Sequence, residues 1–243
     1  MPKFGLVGKN IAYSFSRAHF TSKFEQEKLP YSYVNFDIDS IAEFPEILKL
    51  NDVRGLNVTI PYKEQVVPYL DTLHKTASDI GAVNTIKFLK SGKTKGYNTD
   101  YYGFKKSIQP FLKSHHQKAL ILGTGGASKA IAYALKTLGI SFNYVSRTPH
   151  PKVTYLYTDL TEHIITNHPL IINCTPLGTH PNVNQCPDIP YDGITPDHLL
   201  YDLIYNPIQT KFLICGELKG ATTCNGAKML EYQAEKAWQI WNK

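Results

Sequence analysis

Short apolar runs alternating with helical stretches organise the first hundred residues. Strand-like runs fall at residues 4–7, 33–36 and 55–60, and helical stretches at about 17–29 and 41–50 lie between them. This order predicts a βαβαβ layout on a parallel or mixed sheet. Two strand-like arms then flank Ser91-Gly92 within residues 86–96, the signature of a hairpin. A two-residue turn there sets Lys90 opposite Lys93, and counting back puts Asn84 opposite Thr99 and beside Asp100.

From Lys118 the texture changes. Ala119-Leu-Ile-Leu122, a glycine cluster, an alanine-rich helix ending at Gly139 and a strand over residues 140–145 make one strand–turn–helix–strand unit, the start of a second α/β domain. Further buried strands are predicted at residues 170–173 and 199–202. In the last segment Met229, Leu230, Ala234, Ala237, Trp238 and Trp241 recur at spacings of three and four, which predicts an amphipathic helix. The first domain is complete in strands but thin in covering helices. The last helix is therefore expected to pack back onto it and make it discontinuous.

Composition narrows the partners. A chain of 243 residues allows one large domain or two small ones. Lys+Arg 26 against Asp+Glu 20 gives a net charge of +6, but the densest cationic set (Lys87, Lys90, Lys93, Lys95) is too sparse for a nucleic-acid arm. Apolar runs such as 119–122 are far below the ~18 residues that span a bilayer, and Met1-Pro2-Lys3-Phe4 opens no signal-peptide core. A soluble, cytoplasmic chain without nucleic-acid or membrane partners is expected. Cys174, Cys186, Cys215 and Cys224 form no CxxC pair and lack clustered histidines, so reduced thiols are expected and no metal site.

Four segments carry candidate chemistry. Gly123-Thr124-Gly125-Gly126-Ala127-Ser128 lies between a strand and a helix, with Gly123 for a tight turn and Gly125 for close approach of the backbone to a pyrophosphate at the helix N-terminus. At the end of the next strand, where an enzyme using NAD carries Asp or Glu for the ribose 2′-hydroxyl, the chain reads Ser146-Arg147-Thr148. A guanidinium beside a hydroxyl suits a 2′-phosphate, so NADP is the expected cofactor; the plain alternative for Arg147 is a solvated strand end.

In Gly55-Leu-Asn57-Val-Thr59-Ile-Pro61-Tyr-Lys63 the alternation puts Asn57 and Thr59 on one face and Leu56, Val58 and Ile60 on the other. Pro61 fits the first position of a helix, which would place the Lys63 charge against the positive end of the helix dipole, a cost unexplained by folding. The plain alternative is a surface lysine. Asp100 follows the hairpin and precedes a helical pattern, so it also suits a helix N-cap. Ser14 and Ser16 flank Phe15 at a helix start, where hydroxyls bind a small carboxylate or simply cap the helix.

Taken together these segments resemble the shikimate dehydrogenase family nearly end to end. The matching stretches are Gly5-Leu-Val-Gly8 with Ser14-Phe-Ser16, Asn57-Val-Thr59-Ile-Pro61-Tyr-Lys63, Gly81-Ala-Val-Asn84-Thr85, Asn98-Thr-Asp100 and Gly123-Thr-Gly-Gly-Ala127. They continue with Ser146-Arg-Thr148, Asn173-Cys-Thr175-Pro-Leu-Gly178, Asp202-Leu-Ile-Tyr205-Asn-Pro207 and Asn225-Gly-Ala-Lys-Met229-Leu230 leading to Gln233.

The resemblance implies an α/β protein of two domains with a cleft between them. Residues 1–100 and 222–243 would form a discontinuous substrate domain and residues 101–221 a Rossmann-type NADP domain. It implies Lys63 and Asp100 as the catalytic pair. Ser14 and Ser16 would hold the substrate carboxylate with Tyr205, and Asn57, Thr59, Asn84 and Gln233 would surround the ring hydroxyls. Gly123, Thr124, Gly125, Gly126 and Ala127, with Ser146, Arg147 and Thr148, would bind the cofactor phosphates, and Leu203 and Gly226 would approach the nicotinamide. The implied reaction is the reversible NADPH-dependent reduction of 3-dehydroshikimate to shikimate, a step of aromatic amino-acid (chorismate) biosynthesis, by a monomer or homodimer that needs no metal.

Departures are visible too. The family commonly has Asn at the position of Ser146 and Ala-Thr-Ser where this chain has Cys174-Thr175-Pro176. Residues 149–167 are short, with Pro149 and Pro151 where a crossover helix should begin, leaving Lys152 as the nearest second cation for the 2′-phosphate. Two alternatives stand beside the main reading. One is a quinate/shikimate dehydrogenase, against which Ser16 speaks because the resemblance associates threonine there with quinate-type members. The other is a catalytically silent dinucleotide-binding sensor, against which the retention of Lys63 and Asp100 speaks.

Overall fold

The apolar runs become the central strands of two sheets. The computed structural model describes residues 1–12 and 14–243 and divides into two compact units, Met1–Thr99 with Gln233–Lys243, and Asp100–Tyr232. The first unit contains β1 (Lys3–Gly8), α1 (Phe15–Gln26), β2 (Ser32–Asp37), α2 (Phe44–Leu48), β3 (Val53–Val58), β4 (Thr72–Leu73), α3 (Lys75–Ile80), β5 (Thr85–Phe88) and β6 (Thr94–Tyr97). Its sheet is mixed and six-stranded, in the order β2-β1-β3-β5-β6-β4, parallel across β2, β1 and β3 and antiparallel from β3 to β5 to β6. One apolar cluster joins Val7, Phe44, Leu56, Val58, Tyr62 and Ile86. The other joins Phe4, Phe20, Phe24 and Tyr33 to Ala234, Ala237 and Trp241 near the C-terminus, and the Trp241 indole N–H donates to the Ile86 carbonyl (2.9 Å).

Three local expectations are corrected. The stretch at 41–50 is not one helix. A 3-10 turn over Ile41–Glu43, closed by a Ser40/Glu43 capping box, precedes a five-residue helix that starts at Phe44 with Pro45 in its first turn, where a missing N–H costs nothing. The hairpin closes through Lys90, Ser91 and Gly92 rather than two residues. Gly92, at φ +80°, takes the left-handed conformation that a three-residue loop needs, and the register moves by one, pairing Phe88 with Thr94 and Thr85 with Tyr97. Pro61 does not open an α-helix. The Lys63 carbonyl accepts from the Val83 N–H (2.7 Å), and the Val67 N–H turns to the Glu64 carbonyl (3.2 Å) instead of continuing a helical ladder. The chain passes through turns into a 3-10 segment, Val67–Tyr69, and the dipole argument for Lys63 lapses. Ile60, beyond the end of β3, is 72% exposed instead of sharing the buried face of Leu56 and Val58.

The second unit runs α4 (Asp100–Ile108), β7 (Lys118–Leu122), α5 (Gly126–Thr137), β8 (Ser141–Ser146), β9 (Val153–Leu156), α6 (Glu162–Thr166), β10 (Leu170–Asn173), β11 (Leu199–Asp202), α7 (Lys211–Glu217), β12 (Thr222–Cys224) and the start of α8 (Ala227–Trp241). Its sheet is parallel throughout, in the order β12-β11-β10-β7-β8-β9. The chain winds outward from β7 in one direction and from β10 in the other. The carboxyl ends of these two neighbours therefore form a topological switch point, where doubly wound sheets bind ligands. β12 pairs with β11 and Met229 lies in this unit's core, so the return to the first unit begins at Gln233. The crossover from β8 to β9, residues 147–152, carries no helix. No helix among the described residues is long and apolar enough to cross a membrane.

Two buried histidines of this unit are held neutral by their partners. His116 accepts the Lys113 N–H at Nδ1 (2.9 Å) and donates from Nε2 to the Asp197 carbonyl (3.1 Å). His168 donates from Nδ1 to the Ile164 carbonyl (2.6 Å) and accepts from the Asn143 amide at Nε2 (3.0 Å). Burial pushes both below the ordinary histidine pKa, helped by neighbouring cationic groups. The unfolded chain, titrating near ~6.5, takes up these protons first, so their contribution is complete above that pH and is lost as the pH falls through it. The drop in Tm caused by His168→Gln is expected to be larger at pH 7.5 than at pH 5.5; an equal drop at both would contradict the assignment.

Candidate functional site

In the first unit the polar positions gather along the carboxyl ends of β1 and β3. Ser14 caps α1, accepting from the Arg17 N–H (3.2 Å), and its hydroxyl donates to Asn35 Oδ1 (3.2 Å), a residue the sequence did not single out. Ser16 hydrogen-bonds the Tyr33 hydroxyl, which donates to Asn57 Oδ1 (2.8 Å). Burial pushes the Tyr33 phenol well above its usual range, so it remains a neutral donor.

From Asn57 the network continues. Its amide nitrogen donates to the Asn84 carbonyl (3.2 Å) and the Thr85 hydroxyl (3.3 Å). Asn84 Oδ1 accepts the Thr99 N–H (2.6 Å) and the Thr85 hydroxyl (3.1 Å), while its Nδ2 donates to Thr99 Oγ1 (3.0 Å) and Gln233 Oε1 (3.4 Å). The expected meeting of Asn84 with Thr99 thus occurs despite the shifted register. Four residues proposed from the sequence as site residues, Ser16, Asn57, Asn84 and Gln233, are joined by three with no expected site role, Tyr33, Thr85 and Thr99, of which only Thr99 was expected beside Asn84. The signal for Thr85 and Thr99 lay beside the matched asparagines, in Asn84-Thr85 and Asn98-Thr99-Asp100. Thr59 and Lys63 are half-buried just past β3.

Asn84→Ala would leave the Thr99 N–H without its acceptor, at a cost of about 1–3 kcal/mol per buried unpaired group. The variant is expected to lose about 2 kcal/mol of unfolding free energy in a urea titration and to raise the substrate KM. Unchanged values of both would remove Asn84 from the site.

Asp100 and Tyr205 belong to the second unit, Asp100 in the first turn of α4 and Tyr205 in the loop after β11, 37% exposed. Gly123 follows β7 at φ +100°, a left-handed turn, and its N–H donates to the Val145 carbonyl (2.9 Å). Gly125 is the N-cap of α5, and a Cβ built there meets nothing within 4 Å. The first turn of α5 has no acidic side chain. The turn therefore leaves an open cradle at a helix N-terminus with no side-chain cap, the setting in which a pyrophosphate binds. Ser128, in the third glycine position, is buried and donates to the Gly125 carbonyl (2.7 Å). Ser146 Oγ accepts the Thr148 N–H (3.3 Å), and Arg147 and Thr148 are exposed beyond β8.

A buried carboxylate organises the loops at the switch point. Asp202 accepts from the Thr210 hydroxyl (2.6 Å), the Ile204 N–H (3.0 Å) and Asn173 Nδ2 (3.1 Å), and Asn173 Oδ1 in turn accepts from the Thr175 hydroxyl (2.7 Å). Burial lifts the Asp202 carboxyl to about 6, with these hydrogen bonds opposing the shift. The Leu203 N–H donates to the Asn173 carbonyl (3.1 Å), the Gly226 N–H donates to the Ile204 carbonyl (3.0 Å), and the Gly226 Cα lies so close to the Leu203 carbonyl that no side chain fits. Asp202 was passed over because a single acid in an apolar run reads like any strand end.

A parallel sheet in this order, with a glycine turn after its first strand and an arginine after its second, places the second unit in the class of dinucleotide-binding domains. Residues 6–86 match the family profile described as shikimate dehydrogenase substrate binding domain. The chain is 38% identical to the shikimate dehydrogenase (NADP(+)) of Clostridium botulinum over 247 residues, covering 98% of this chain and 95% of that protein. The crystal structure of shikimate dehydrogenase from Aquifex aeolicus superposes with a TM-score of 0.88 at 33% identity, covering 100% of this chain and 92% of that one. That of the Thermus thermophilus shikimate 5-dehydrogenase, in complex with NADP(H) and shikimate, gives 0.88 at 29% identity, covering 99% and 93%. The chain belongs to the shikimate dehydrogenase family.

Proposed function

We propose that the protein is an NADP-dependent shikimate dehydrogenase that interconverts 3-dehydroshikimate and shikimate. The observation that carries this is the match to shikimate dehydrogenases over 98% of the chain, with the residues of both half-sites in it. NADP fits the second unit on its own geometry. The open cradle at Gly125 suits the pyrophosphate, with Gly123, Thr124, Gly126 and Ala127 around it, and exposed Arg147 and Thr148 with Ser146 suit the 2′-phosphate. Leu203 and Gly226 would face the nicotinamide.

When bound, the reduced dinucleotide supplies the hydride. Lys63 supplies the proton to the carbonyl oxygen as negative charge grows on it, and Asp100 orients the reacting groups. Ser14, Ser16 and Tyr205 hold the substrate carboxylate. Asn57, Thr59, Asn84 and Gln233 hold the ring hydroxyls, and Tyr33, Thr85 and Thr99 keep those amides in fixed orientation. The proposal includes a cytoplasmic location, supported by four free cysteines, which suit a reducing compartment.

The test follows nicotinamide absorbance with shikimate or quinate and NADP or NAD in all four pairings. Turnover is expected with shikimate and NADP. Its absence in every pairing overturns the proposal, and preference for quinate overturns the substrate assignment.

A further inference from the structure

Among the described residues, Tyr157 Oη is the one buried side-chain nitrogen or oxygen without a hydrogen-bond partner. Native structures rarely leave such an atom unpaired, and each one that remains calls for an explanation. Tyr157 follows β9 and opens a 3-10 turn, Tyr157–Asp159, with its ring against the apolar cluster of Leu122, Val145 and Leu160. Its hydroxyl lies within electrostatic reach of Arg147, beyond β8, and of Cys174, beyond β10. It is thus at the carboxyl edge of the sheet, on the side of the arginine. Burial pushes its pKa up to about 12, which keeps it a neutral donor near pH 7.

The crossover between β8 and β9 forms no helix, and apart from Arg147 its one permanent cation is Lys152, at the far end. Beside Arg147 the Ser146 and Thr148 hydroxyls are at hand but no second cation is, and Tyr157 adds a nearby donor that no other hydrogen bond uses. We propose that the Tyr157 hydroxyl donates to the 2′-phosphate of bound NADP beside Arg147 and contributes to the choice of NADP over NAD. Contact requires the half-buried ring to turn its hydroxyl outward, a movement that breaks no hydrogen bond of that hydroxyl. An O–H to phosphate bond is charge-assisted and stronger than a neutral pair.

This rests on the cofactor assignment above, and titration of the cofactor-free protein separates the two. Tyr157→Phe is expected to raise the Kd for NADPH and for adenosine 2′,5′-bisphosphate about tenfold while leaving that for adenosine 5′-monophosphate unchanged. The Tm of the free protein should not fall, since the variant removes an unpaired group. Unchanged affinity for the bisphosphate, or an equal loss for the monophosphate, overturns the proposal. Wild-type protein that binds no NADPH overturns the cofactor assignment as well. Should the variant not fold, a crystal structure of the wild type with adenosine 2′,5′-bisphosphate decides: a Tyr157 Oη bonded to the phosphate supports the proposal and an unbonded one overturns it.

Discussion

Lys63→Ala is expected to lower kcat about 10²- to 10⁴-fold with a much smaller change in the KM for shikimate, the range that general acid–base help contributes. The split follows from when the charge develops. The ketone oxygen is neutral in the ground state and becomes alkoxide-like as hydride arrives, so a proton donor aimed at it stabilises the transition state more than the bound substrate. The substitution should leave the backbone intact, because the anchor at this position is the Lys63 carbonyl bonded to the Val83 N–H, which alanine retains. Steady-state kinetics of a variant with wild-type Tm provide the check. A near-normal kcat, or a loss confined to KM, would take the proton transfer away from Lys63.

Gly125→Ala is expected to weaken NADPH binding roughly ten- to hundredfold, as forcing one methyl into a packed contact costs about 1–3 kcal/mol, while moving Tm by no more than about 3 °C. In the free protein the added Cβ meets open space, and φ −69°, ψ 176° is ordinary extended backbone. Alanine is a poorer N-cap than glycine but stiffens the unfolded chain, and these two small effects oppose one another. The bound pyrophosphate would occupy that open space. Gly123→Ala makes the contrast, because at φ +100° with Thr175 Cγ2 3.1 Å from the new Cβ it should impair folding itself. Fluorescence titration with NADPH and thermal melts of both variants test this. Tight binding by Gly125→Ala would show that the turn is a structural glycine loop and not a phosphate cradle.

These expectations draw unequally on sequence and structure. The strand–glycine–helix unit from Lys118 and the neighbouring Ser146-Arg147-Thr148 were legible because each depends on local chemistry: a glycine turn, a helix N-terminus, a strand end. The short crossover after Arg147 was legible for the same reason, since Pro149 and Pro151 forbid a helix locally. Lys63 was misplaced because its turn is decided by a hydrogen bond to Val83, twenty residues away. The hairpin register moved by one because the loop used Gly92 with two residues before it, an option that composition alone does not separate from a two-residue turn.

The sequence by itself determined the family, the α/β class, the order of most strands and the identities of the polar residues, through periodicity, turn chemistry and motifs read within a few neighbours. Only the tertiary structure decided which of those polar residues share a network. Tyr33, Asn57, Asn84, Thr99 and Gln233 come from separate elements, and they meet because burial requires each polar group to find a partner and the sheet brings those partners within reach. The same requirement, unmet at Tyr157, is equally invisible along the chain, since a missing partner shows itself only when every neighbour in space is known.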